Sequence, residues 1–127
     1  MRLALLSLFA LLPSLLFAGP TASQLKDKAM HGDLDAQLRL ACAYASEKED
    51  PDFVPGLKKD PHSEYVWLAV YMSFEPNSSR GIKKQASWLE NDMAPEELRQ
   101  AKAEAAKLAH QIESISAKKV LVPEVFE

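Results

Sequence analysis

The side chains able to do chemistry in this sequence are three histidines, one cysteine and a few close pairs of charged groups. His31, His62 and His110 are far apart, and none forms an H-E-x-x-H pair, the spacing that sets two imidazoles on one helix face for a metal. They read as helix-end or surface residues. Glu96 and Glu97 follow Pro95, where a helix start would favour negative charge for its dipole alone. The four glycines form no phosphate-binding loop, dinucleotide fingerprint or G-x-S-x-G elbow. A single cysteine can form neither an internal disulfide nor a thiolate cluster. The expectation is a protein with no catalytic residue, no metal and no cofactor.

Cys42 still needs an account. At 100° per residue it falls on one helical stripe with Asp35, Arg39 and Ser46, apart from the side of Leu34, Leu38 and Ala41. Two readings stay open. Cys42 is a buried thiol behaving as a small hydrophobe, or the stripe faces a groove that Cys42 lines or from which it bridges to another chain. Asp35 and Arg39 stand four apart, enough for an ordinary helical ion pair. If a partner binds this face, Asp35, Arg39 and Cys42 are the contact candidates.

The elements that must carry these residues read as helices. Outside the C-terminal stretch β-branched residues are sparse, and no Asn-Gly or Asp-Gly hairpin signal appears. A first helix is predicted over about Ser23 to Met30, capped by Thr21 or Ser23 and stopped by His31-Gly32. Asp33 caps a second, to about Ser46, which is apolar around most of its circumference and therefore reads as covered on two sides. A charged loop with Pro51, Pro55 and Gly56 follows. The apolar run Tyr65 to Met72 could be a buried strand, but Asp60 as cap and Pro61 at the first helical position favour a third helix to about Ser73. A fourth covers about Ser79 to Asn91. A fifth starts at Pro95 with the stripe Leu98, Ala101, Ala105, Leu108, Ala109, Ile112 and Ile115. The apolar tail 120–127, with β character and Pro123, is expected to pack back as an extended segment.

The totals hide a division. Of 127 residues 47% are hydrophobic and the net charge is −3, yet 14 of the first 18 are apolar. The remaining 109 hold 46 apolar residues, with 14 basic against 18 acidic. That balance describes one mildly acidic domain over 19–119 and argues against a nucleic-acid partner. Residues 1–18 read as a signal peptide: Arg2 precedes the apolar run Leu3–Phe17, and Leu16-Phe17-Ala18 offers a cleavage site before Gly19. The run is shorter than the roughly 18 to 20 residues that span a bilayer, and Pro13 interrupts it. The expectation is a periplasmic or secreted protein, without stable membrane insertion after cleavage.

Residues Ala29 to Leu68 carry a further pattern, HGDLDAQLRLACAYA followed by PGLKKDPHSEYVWLA. With Ala29, Gly32, Ala36, Leu40, Tyr44, Gly56, Leu57, Asp60, Trp67 and Leu68 in place, it resembles one Sel-1-like repeat, a relative of the tetratricopeptide unit. The resemblance implies a short α-α superhelix of antiparallel helix pairs, with Trp88 to Ala109 as the closing pair. Ala41 and Glu64 depart from it, standing where a glycine and a small residue are usual. It implies protein–protein binding, as an adaptor or regulator in the bacterial envelope. A periplasmic immunity or inhibitor protein, and an envelope hydrolase, are the alternative readings. One visible repeat is short for a stacked array, so the end helices, or a homodimer, must cover the remaining apolar faces.

Overall fold

Local chemistry starts each helix. The computed structural model describes residues 19–125, so the signal-peptide segment 1–18 and residues 126–127 lie outside the described residues. Helix α1 (Ala22–Met30) opens with a capping box, in which the Thr21 hydroxyl accepts from the Gln24 backbone N–H and the Gln24 side chain accepts from that of Thr21. Asp33 caps α2 (Leu34–Tyr44) through the Ala36 N–H, and Asp60 caps α3 (Pro61–Phe74) with Pro61 in the first turn. Ser79 caps α4 (Arg80–Asp92) through Ile82. Helix α5 spans Pro95–Val125. Among the described residues the chain is thus all-α, with five helices and no strand.

The packing order puts α3 at the centre. It touches α2, α4 and α5, while α2 also packs on α1, and α5 returns to α1. The contacts therefore close a cycle α1–α2–α3–α5–α1, to which α4 is added on α3. Where the resemblance implies a closing pair, α4 and α5 each lean on α3 rather than extensively on each other. The apolar run Tyr65 to Val70 explains the centre: Tyr65, Val66, Trp67, Leu68 and Val70 are all buried. Helix α2 is covered on two sides, as its apolar circumference requires.

The apolar stripe of α5 packs on α3 and α1. Ala101, Ala105 and Ile112 are buried in the same core as Leu25, Ala29 and Leu40. The α1–α2 turn allows this approach. Gly32 takes φ +92°, and a Cβ there would lie 3.4 Å from Oγ of Ser116 and 4.0 Å from Cγ2 of Ile112. Helix α5 also runs further than the sequence pattern indicates. Residues 120–125 are helical, not extended: β-branched residues lower helix propensity by only tenths of a kcal/mol each, and the helix runs on through Pro123, whose ring removes one backbone donor.

Candidate functional site

Because α4 docks on α3 and not along α2, a groove of about 350 Å³ opens between these three helices. Helix α2 contributes Leu38, Ala41 and Cys42, α3 contributes Glu64 and Leu68, and α4 contributes Gly81, Ile82 and Gln85. Asp52 of the α2–α3 loop completes its rim. The walls are apolar and open, with a few convergent polar groups, the usual composition of a binding site.

Glu64 is its least ordinary member. It lies one turn into α3, where a negative charge suits the helix dipole, yet it is only 6% exposed. Nε2 of Gln85 donates to its Oε2 at 2.9 Å, tying α4 to α3. Burial pushes the Glu64 carboxyl above the usual range, and the Gln85 hydrogen bond and the charge of Lys59 offset only part of this. Tyr65, next in sequence, is buried, and its hydroxyl donates to Oε2 of Glu90 at 2.7 Å, a second polar tie between the same helices.

Cys42 is free and half-buried. Desolvation, then the charges of Asp52 and Glu64, push its thiol up, so at neutral pH it is held as the protonated thiol rather than the nucleophilic thiolate. Its environment combines the two readings of the sequence: partly buried, and on a groove wall. Of its stripe, Ser46 lines the groove with it, while Asp35 and Arg39 do not. Cys42 shares the groove with Leu38 and Ala41, the side from which the helical wheel set it apart, because 40° between Leu38 and Cys42 is too little to separate faces when two helices close over α2.

Asp35 and Arg39 lie outside this groove. They form the exposed i,i+4 pair, with Nε of Arg39 3.4 Å from Oδ2 of Asp35. Arg39 lines a separate recess, of the same approximate volume, formed by Gly19, Pro20, Leu25 and the loop from Pro51 to Pro55. Ser46, the remaining member of the stripe, is buried and donates its hydroxyl to the carbonyl oxygen of Cys42 at 2.7 Å. A third recess, about 470 Å³, is confined to the α2–α3 loop around Phe53, Leu57 and Lys59, whose ammonium pairs with Glu47 at 3.1 Å.

The residues on which the Sel-1-like resemblance rests pack the helices that carry the site. Ala29, Ala36, Leu40, Leu57, Trp67 and Leu68 are buried, and Tyr44 is half-buried against the core. The Asp60 N–H donates to the Tyr44 carbonyl at 2.9 Å, fixing the loop end, and Gly56 supplies a φ of +94° within that loop. The histidines stay apart. Nδ1 of His31 lies 2.7 Å from the Asp27 carbonyl oxygen at the end of α1, Nε2 of His62 lies 2.7 Å from Oε2 of Glu104 on α5, and His110 is exposed. Among the described residues no three metal-ligating side chains converge.

Glu64, Gln85 and Asp52 were not legible as site residues from spacing. The one signal was Glu64 itself, a charge at the edge of an apolar run, and the fold alone supplies its groove. Compared with known proteins, the chain matches no family model, no curated protein and no solved structure.

Proposed function

We propose that this chain is a protein-binding helical module related to the Sel-1-like repeats, exported to the periplasm or secreted, and that it acts as an adaptor or regulator. The observation that carries the reading is the open groove between α2, α3 and α4, with apolar walls and a buried carboxylate. Its thiol is held protonated, which suits a contact surface better than nucleophilic catalysis. The acidic groove equally suits an inhibitor that engages a basic site on its target, and the identity of the partner separates these two roles. Export is supported by the apolar run Leu3–Phe17 behind Arg2.

Photo-crosslinking tests the reading. A photoreactive residue at Leu38, on the groove wall, is expected to give one discrete protein adduct in envelope extracts, and the same residue at Lys107, on the exposed face of α5, none. Absence of an adduct at Leu38, or equal adducts at both positions, would refute protein binding at the groove. N-terminal sequencing of the exported protein is expected to start at Gly19.

A further inference from the structure

We infer that the outward face of α4 docks on an anionic phospholipid bilayer, with Trp88 at the level of the headgroups and Arg80, Lys83 and Lys84 on the lipid phosphates. The contact is peripheral and reversible, and it uses a different side of the helix from the groove.

Trp88 is the starting point. Among residues 19–118 it alone of the large apolar side chains is exposed, at 55%. One exposed apolar side chain is ordinary on a protein surface, but its neighbours here are not. Nζ of Lys84, one turn earlier, lies 5.3 Å from the centre of the indole ring, so a cation sits against the ring face. Arg80, Lys84 and Trp88 follow at four-residue spacing and Lys83 flanks them, so the four occupy an arc of about 140° on a helix of 3.6 residues per turn. All four are exposed. No acidic residue of α4 falls in that arc: Glu90 accepts from the Tyr65 hydroxyl on its flank, and Asp92 ends the helix. Arg80, Lys83 and Lys84 take part in no ion pair among the described residues. In a chain with 18 acidic residues against 15 basic, this face is a local concentration of positive charge.

Shape and chemistry select the partner. Helix α4 is attached mainly through α3, and its buried residues Ala86 and Leu89 lie opposite this arc. The helix therefore keeps its apolar side for the protein and does not insert; only the indole reaches into the interface. Arg80, Lys83, Lys84 and Trp88 line none of the three recesses described above, so the face suits a flat surface rather than an inserted side chain. An indole combines an apolar body with an N–H donor and favours the headgroup level of a bilayer. Lysine and arginine lay their stems along the same apolar boundary while their heads reach the phosphates. An acidic peptide would satisfy the three cations but offers no apolar layer to the indole. Each cation adds about fivefold to affinity for an anionic bilayer, enough in sum for adsorption without a spanning segment. No described helix is long and apolar enough to cross a membrane.

The test mixes the protein purified after export with vesicles of phosphatidylcholine, alone or with about 30 mol% phosphatidylglycerol, and reads co-sedimentation and tryptophan emission. The chain has two tryptophans, and Trp67 is buried, so the emission reports on Trp88. The anionic vesicles are expected to sediment the protein and move its emission to shorter wavelength, the neutral vesicles to do neither, and about 0.5 M salt to release it. Trp88→Phe, at an exposed position, keeps Trp67 and is expected to lose the emission shift. Lys84→Gln is expected to weaken sedimentation about fivefold, and joint replacement of Arg80, Lys83 and Lys84 by Gln about a hundredfold. Lys107→Gln on the exposed face of α5 is expected to leave it unchanged. No sedimentation with anionic vesicles, equal sedimentation with neutral ones, or an emission shift that persists in Trp88→Phe would overturn the inference. So would a Lys107→Gln loss as large as that of Lys84→Gln. The same emission shift with soluble polyglutamate would identify an acidic protein segment as the occupant and overturn the bilayer.

Discussion

The Tyr65 hydroxyl donates to Oε2 of Glu90 at 2.7 Å, and with the neighbouring Gln85–Glu64 bond it fastens α4 to α3 by two polar ties. These ties fix how far α4 stands from α2, and so set the width of the groove. Only Ala86 and Leu89 of α4 are fully buried, which makes the polar ties a large part of its attachment.

Tyr65→Phe removes the donor and leaves a half-buried carboxylate unpaired. It is expected to destabilise the protein by about 1–2 kcal/mol at pH 7, measured by urea unfolding. The pH dependence carries a signature. Burial, then the hydrogen bond and charge of Glu90, push the Tyr65 phenol well above its ordinary value of 10.0, so the fold favours the neutral form. A group raised in the folded state contributes its full stability below the unfolded value and loses it as pH rises toward the folded one. Wild type is therefore expected to lose more stability between pH 9 and 11 than Tyr65→Phe does.

Glu64→Gln is expected to act in the opposite sense. The Glu64 carboxyl is raised above 4.5, so its contribution is fully present below that value and declines as pH rises through the folded one. At neutral pH the buried charge opposes folding, and its removal should stabilise the protein by on the order of 1 kcal/mol. Thermal melts at pH 7 and pH 4 check this, with the advantage present at the first and small at the second.

Cys42 is expected to react slowly with iodoacetamide at pH 7.5, about tenfold or more below an exposed thiol, because its thiolate is disfavoured by burial, Asp52 and Glu64. Mass spectrometry of timed samples measures the rate. Glu64→Gln should raise it by removing one of the opposing charges.

The closure by α5 is tested at the α1–α2 turn. Gly32→Ala puts a Cβ on a residue held at φ +92°, where L side chains are strained, and is expected to cost roughly 1–2 kcal/mol. Ile112→Ala, in a fully buried position, should cost about 2–5 kcal/mol. Both are read from melting temperature, and a surface change such as Lys107→Ala should fall within about 0.5 kcal/mol of wild type.

The helices were legible because their ends are written locally. Thr21, Asp33 and Asp60 cap through N–H groups two or three residues away, and Pro61 and Pro95 open helices where their missing donor is harmless. Nothing comparable marks a groove. Glu64 and Gln85 are 21 residues apart, and their bond exists only because α4 turns back onto α3. The stripe of Asp35, Arg39 and Cys42 shows the same limit: a helical wheel gives angles on one helix, and the neighbours decide which angles share a surface.

The sequence by itself therefore determined that this protein is all-α, where its helices begin, and much of the apolar stripe buried along α2, α3 and α5, since these follow from capping and 3.6-residue periodicity, but not the burial of Gln37 and Glu64. Only the tertiary structure decided that Cys42 joins Glu64 and Gln85 rather than Asp35 and Arg39, and that α5 closes back onto α3 and α1. The physical reason is range: caps and periodicity act over a few residues, whereas a groove is made by helices that meet across tens of them.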